Sequence, residues 1–249
     1  MFKAILFDLD GTLHDRHATI KSFISDQHRR LLIHTELDEK TYLDTFIRLE
    51  NNGYVWKDQV YKQLTEEFSL SAPWEQLLND YVERSPSHAQ SFEGILPMLK
   101  QLKQHYKLGL ITNGKSKVQK GCLEILGLTE FFHCTVISEE VNVKKPEPEI
   151  FYHALNLLNI EPHQAIYVGD HPANDIQAAH EIGMKTIWID NGIYDRPSKA
   201  DWITDEVRCI PEILETAGVF PFIENLRRSY YPHPATMFLL IKADLKKAF

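Results

Sequence analysis

Residues 3–15, Lys-Ala-Ile-Leu-Phe-Asp-Leu-Asp-Gly-Thr-Leu-His-Asp, constrain the fold more than any other stretch. Ala4-Ile5-Leu6-Phe7 is a short apolar run that stops abruptly at Asp8-Leu9-Asp10-Gly11-Thr12. Such a run, closed by acid and glycine, predicts a buried strand ending in a turn. In an open α/β sheet, ligands sit just beyond the carboxyl ends of the strands. Asp8 and Asp10 would then project into that crevice. Two neighbouring carboxylates repel unless a cation lies between them or one is protonated. Hard oxygen donors suit Mg²⁺, and Gly11 permits a sharp turn and close approach of a ligand. Taken alone, the same residues also describe a strand followed by an acidic Asx-type turn.

The pattern changes after this strand. Ile20, Phe23, Ile24, His28 and Leu31 recur at helical spacing, as do Leu43, Phe46, Ile47 and Glu50. Val60, Leu64 and Phe68 form a third stripe; Trp74, Leu77, Leu78 and Tyr81 form a fourth. Breaks fall near Thr35, at Asn51-Asn52-Gly53, at Ser71-Ala72-Pro73 and at Ser85-Pro86. The block reads as four or more helices packed on one another, with the stripes as their core.

From Gly94 strands and helices alternate. Helices are expected over Ile95–Tyr106, Lys117–Leu126, Pro146–Leu158 and Ala173–Ile182. Strands are expected over 108–111, Cys134–Ser138, Ala165–Val168 and Lys185–Ile189, with a short one at Trp202-Ile203. Repeated strand–helix units imply a parallel, doubly wound α/β sheet with right-handed crossovers and helices on both faces. The expected organisation is an α/β core of residues 1–15 plus 89–218 and an all-helical cap of 16–88. A C-terminal extension, 219–249, completes it. An insertion placed straight after the acidic turn would act as a lid. In the extension, Met237, Leu240, Ile241 and Leu245 suit one helical face, docked on the sheet's flank or forming a dimer contact.

Three further strand ends carry polar residues. Thr112 and Asn113 follow the second strand. Lys145 lies in Lys-Lys-Pro-Glu-Pro-Glu, and Asp170 and Asp175 lie in Gly-Asp-His-Pro-Ala-Asn-Asp. Each has a bland reading: a turn, a solvated loop, or a helix cap with a first-turn acid. Together they run in the order acid pair, hydroxyl, lysine, acid pair, all at strand carboxyl ends.

With those four motifs the sequence resembles the haloacid dehalogenase-like (HAD) superfamily of phosphohydrolases. Within it, the sequence resembles the phosphoglycolate phosphatase-like branch, which carries a helical cap after the first strand. The resemblance covers roughly residues 1–215 and is carried by D-L-D-G-T at 8–12, I-T-N-G at 111–114, K-K-P-E-P-E-I-F at 144–151 and G-D-H-P-A-N-D-I at 169–176. It implies a Mg²⁺-dependent phosphatase that hydrolyses a small phosphate monoester through an aspartyl-phosphate. Asp8 would be the nucleophile and Asp10 the general acid and base. Thr112, Asn113 and Lys145 would hold the phosphoryl group. Asp8, the backbone carbonyl of Asp10, Asp170 and Asp175 would hold the metal, Asp175 directly or through water. A sugar phosphomutase uses the same core. A non-catalytic binding protein would be expected to have lost Asp8 or Asp10, and dehalogenases of the superfamily lack the second acid. A phosphonate hydrolase would need a Schiff-base lysine in the cap, where Lys21, Lys40, Lys57 and Lys62 occur. Two departures stand out: His14, a candidate substrate contact by the cap hinge, and Asn142, where relatives often have Gly.

The net charge of −8 argues against nucleic acid and acidic membranes as partners. The three cysteines lack C-x-x-C spacing, which predicts reduced thiols in a cytoplasmic protein. No signal-peptide or bilayer-spanning run is present in this sequence. The expected assembly is a monomer or homodimer.

Overall fold

The computed structural model describes residues 1–219. The expected helical face of the C-terminal extension, Met237 to Leu245, therefore lies outside the described residues. Six strands form one parallel sheet: β1 (Ala4–Phe7), β2 (Lys107–Thr112), β3 (Cys134–Ile137), β4 (Ala165–Gly169), β5 (Lys185–Ile189) and β6 (Trp202–Thr204), in the order β3-β2-β1-β4-β5-β6. The helices are α1 (Arg16–Leu31), α2 (Glu39–Glu50), α3 (Lys57–Glu67), α4 (Trp74–Arg84) and α5 (Ile95–Leu102), then α6 (Ser116–Ile125), α7 (Ser138–Val141), α8 (Pro148–Leu158), α9 (Ala178–Glu181) and α10 (Ile210–Thr216).

The chain divides into two compact units. Among the described residues, the α/β unit holds 1–13, 92–113 and 130–219; the helical unit holds 14–91 together with 114–129. The helix α6 thus belongs to the helical unit, whereas strand–helix alternation in the sequence assigns it to the sheet. Its contacts are with α4 and the 85–88 turn, and Gly121 makes this approach possible: a Cβ there would stand 2.7 Å from Pro86.

In the helical unit, Asp15 caps α1 by accepting from Ala18 N at 2.9 Å, and Asp38 caps α2 by accepting from Thr41 N at 3.0 Å. Asn51 ends α2 in left-handed geometry, φ 45°. The periodic residues converge on one core of Ile20, Phe23, Ile24, Phe46, Val60, Leu64 and Leu77. Gln27 is buried among them and satisfied on both sides. Its Oε1 accepts from Tyr42 OH (2.8 Å) and Tyr61 OH (2.9 Å), while its Nε2 donates to Leu77 O at 2.9 Å.

In the α/β unit all four residues of β1 are buried, so both faces of the central strand are covered. Ile150, Phe151, Ala154, Leu155 and Leu158 of α8 pack with Ala4, Leu6, Ile111, Val136 and Tyr167. Burying each large apolar side chain there contributes about 1.5–3 kcal/mol. The helix starts at Pro148 rather than Pro146. Lys145 and Glu147 each precede a proline, which disfavours helical backbone, while Pro148 suits a first helical position. The expected helix over 173–182 begins as a six-residue turn of π geometry, Pro172–Gln177, and becomes α only at Ala178. The hydrogen bond from Ile176 N to His171 O (3.3 Å) widens this turn. No helix among the described residues is long and apolar enough to cross a membrane.

Candidate active site

Strand order reverses at β1. The chain runs outward through β2 and β3 on one side, then returns to β4 on the other. Ligands of open α/β sheets bind beyond the strand ends at such a reversal. Phe7 pairs with Val168, so Asp8, just past β1, and Asp170, just past β4, leave the sheet side by side. Asp8 N donates to Val168 O at 2.9 Å, which fixes the first acid.

Asp8, Asp170 and Asp175 meet there. One carboxylate oxygen from each lies within 4.8 Å of the others, and all three residues are buried. Two glycines make this convergence possible. Gly11 has φ +81°, and a Cβ on it would stand 2.4 Å from Asp170 Oδ2; a Cβ on Gly169 would stand 2.5 Å from Asp175 Cβ. Lys145, itself buried, donates to Asp8 Oδ1 at 2.6 Å, to Asp175 Oδ1 at 2.7 Å and to Tyr167 OH at 3.2 Å. Its three ammonium protons therefore have three acceptors. The other oxygen of Asp175 accepts from His171 N at 3.0 Å, the bond that the wide turn after β4 allows.

The electrostatics follow from burial. Burial pushes Asp8 well above the usual carboxylate range; Lys145 pulls it down, and Asp175 and Asp170 push it up. Burial and then Asp175 push Asp170 up to about 7. Burial disfavours the Lys145 ammonium, but Asp175 and Asp8 outweigh it and hold the charge. Three carboxylates and one ammonium leave two net negative charges in a buried site when all are ionised. An all-oxygen donor set with that charge fits a hard divalent cation such as Mg²⁺ and offers nothing to a thiophilic one.

The other expected residues are distributed as follows. Thr112 ends β2 and is buried. Asp10 is half-buried on the following turn and is not one of the three clustered carboxylates. Asn113, expected at the phosphate, has its side-chain amide engaged with the Lys145 peptide: Nδ2 donates to Lys145 O at 3.0 Å and Oδ1 accepts from Lys145 N at 2.9 Å. Asn142 adopts φ 55°, geometry that asparagine tolerates. His14 lies in the helical unit with Nε2 2.8 Å from Thr19 Oγ1. The Thr19 hydroxyl donates to Asp15 O and accepts from Gln90 N, so His14 Nε2 is the donor in that pair. Of the cap lysines, Lys57 is half-buried; it pairs with Glu50 at 3.1 Å and lies 5.9 Å from the ring centroids of Phe46 and Tyr81. A carboxylate and two ring faces stabilise an ammonium, the opposite of what a Schiff-base amine needs.

Comparison with known proteins bears on the same loops. The haloacid dehalogenase-like hydrolase profile matches residues 5–189, a span that contains all four motifs. The chain belongs to this family.

Among its HAD relatives is a glyceraldehyde 3-phosphate phosphatase of Methanopyrus kandleri, 30% identical over 82% of this chain and 92% of that protein. The pyrophosphatase PpaX of Halalkalibacterium halodurans is 28% identical over 86% of this chain and 96% of its own length. A HAD phosphatase structure from Thermococcus onnurineus superposes with a TM-score of 0.64, at 28% identity over 86% of this chain and 98% of that one. The magnesium-bound HAD-hydrolase YfnB of Bacillus subtilis reaches a TM-score of 0.73 at 21% identity over the same shares of the two chains, a likeness of fold.

Sequence reasoning missed three residues that hold the HAD motifs in place. Tyr167 buries its hydroxyl against Lys145 and Asp175. Trp188 Nε1 donates to Asp170 O at 2.6 Å, and Asn191 Nδ2 donates to Asp170 Oδ2 at 2.8 Å. Tyr167 and Trp188 read as ordinary strand apolars. Asn191 carried one signal, its place just past the carboxyl end of β5.

Proposed function

We infer that the protein is a phosphoric monoester hydrolase that works through its own aspartate. The reading rests on one observation above the others: Asp8 stands at the end of the central strand, buried, within reach of Lys145 and of two further carboxylates. Asp8 attacks phosphorus, and a new P–O bond forms as the ester oxygen leaves with its electron pair. Asp10 gives that oxygen a proton. A water then attacks the aspartyl-phosphate; Asp10, now a carboxylate, takes the water's proton, the bond to Asp8 breaks and inorganic phosphate departs. Lys145 offsets the charge shared by Asp8 and the phosphoryl oxygens, and Thr112 donates to those oxygens. Asn113 acts by positioning the Lys145 peptide.

Asp8, Asp170 and the carbonyl of Asp10 would hold Mg²⁺. Asp175, with both oxygens already accepting hydrogen bonds, would act through water. A bound Mg²⁺ supplies positive charge against the phosphoryl oxygens. The relatives matched over most of their length are named as phosphatases, which favours hydrolysis over phosphoryl return. Their names give different leaving groups, so the shared element is the phosphoryl transfer. The proposed partner is accordingly a small phosphate ester.

The test is phosphate release from a panel of small phosphate esters with Mg²⁺ or with chelator. Turnover that needs the metal and vanishes in Asp8→Asn, with the fold intact by circular dichroism, is expected. Ordinary turnover in that variant would remove Asp8 from its role.

A further inference from the structure

The loop that follows β5 touches the proposed metal site through one side chain, Asn191. Two hydrogen bonds fix the orientation of its amide. Oδ1 accepts from Ile193 N at 3.1 Å, closing an Asx turn within the loop. That identifies the other end as Nδ2, which donates to Asp170 Oδ2 at 2.8 Å. Asp170 Oδ2 is the same oxygen that the missing side chain of Gly11 admits. The amide therefore sets the rotation of a buried carboxylate whose backbone is already held by Trp188, through Nε1 to Asp170 O at 2.6 Å.

The loop has anchors of its own. Asp190 N donates to Thr204 O at 2.8 Å, Gly192 N donates to Asp190 Oδ1 at 3.0 Å, and Tyr194 packs on the His171 ring with centroids 4.8 Å apart. The first two contacts order the loop without touching Asp170. The Asn191 contact reaches the carboxylate itself.

We propose that Asn191 is a positioning residue for the cation site: its amide turns the Asp170 carboxylate toward the point where Asp8 and Asp170 share a divalent cation. The proposal rests on the metal-dependent reading above. Groups that orient a ligating carboxylate change metal affinity by roughly 10–100-fold when removed, and that is the scale expected here.

The experiment is calorimetric titration of the folded protein with Mg²⁺ alone and with Mn²⁺ alone, without substrate. Asn191→Ser is the first variant, because serine keeps an acceptor for Ile193 N and lacks the reach of the amide donor. Asn191→Ala is the second. Tyr194→Ala loosens the loop at its other anchor and leaves the amide in place. Asp170→Asn reports on the site as a whole.

The expected result is a Kd raised about tenfold or more in both Asn191 variants, with Tyr194→Ala close to the parent. In steady-state assays the Mg²⁺ concentration for half-maximal rate should rise by the same factor, and kcat at saturating Mg²⁺ should recover. Equal Kd values for parent and Asn191 variants overturn the inference and leave the metal site standing. Equal weakening by Tyr194→Ala also overturns it, since loop order and not the amide would then be responsible. Failure of the parent to take up either cation, or unchanged uptake in Asp170→Asn, sinks the metal reading and the inference together.

Discussion

Replacing Lys145 with methionine keeps the length of the side chain and removes its charge. The ammonium lies 2.6 Å from Asp8 and 2.7 Å from Asp175, each contact worth about 6 kcal/mol at an effective dielectric of ~20. Desolvating the ammonium cancels much of this, and breaking a buried pair by removing one partner costs a net 3–5 kcal/mol or so. For a chain of this size that corresponds to a fall in Tm of about 6–20 °C. The charge left behind is three buried carboxylates within 4.8 Å, which relieve themselves by binding a proton or a cation. The loss should therefore be larger at pH 8 than at pH 5, and Mg²⁺ should recover part of it. Urea unfolding of Lys145→Met in chelator and in Mg²⁺, at both pH values, measures each quantity. A variant that loses under about 1 kcal/mol in chelator, or that Mg²⁺ does not help, would refute the view of Lys145 as the ion that makes this acid cluster tolerable.

Other expectations are as direct. Asp10→Asn should lower kcat by roughly 10²–10⁴-fold for esters with poor leaving groups, and less for p-nitrophenyl phosphate, whose leaving group needs little protonation; equal losses for both would argue against a proton donor. Gly11→Ala places a Cβ 2.4 Å from Asp170 Oδ2 at φ +81°, so it should cost about 1–2 kcal/mol in backbone strain and weaken Mg²⁺ binding, both readable from urea curves with and without the ion. The Asp170 carboxyl, raised from 3.8 to about 7, binds its proton more tightly folded than unfolded. The penalty is absent below the unfolded value and complete above the folded one, so metal-free protein should lose up to about 4 kcal/mol between pH 4 and pH 8. Mg²⁺ should flatten that slope, and a metal-free stability independent of pH would contradict it.

Much of this protein is written in its local patterns. Strands announce themselves as short apolar runs stopped by acid or glycine, as at Phe7-Asp8 and Val168-Gly169-Asp170. The helical block shows itself in stripes such as Ile20-Phe23-Ile24, which close into one core. The parallel sheet follows from strand–helix alternation, and the four polar loops are legible because each sits at a strand's carboxyl end. These features depend on residues near in sequence, whose spacing shows which face they share.

What no local pattern carries is which distant groups meet. Strand order alone brings Asp8 beside Asp170, 162 positions later in the chain. The Asn113 amide had a turn's signature and turned out to clasp the Lys145 peptide, 32 residues away. Tyr167, Trp188 and Asn191 looked like strand and loop filler until packing placed their polar ends against Lys145 and Asp170. The assignment of α6 to the helical unit turned on Gly121 meeting Pro86, and the wide turn after β4 on Asp175 bonding back to His171. Except for that last bond, which spans four residues, the deciding energy in each case is a hydrogen bond or contact between residues remote in the chain. Periodicity and propensity say which groups a chain owns, and only the packed sheet decides which of them share a buried charge.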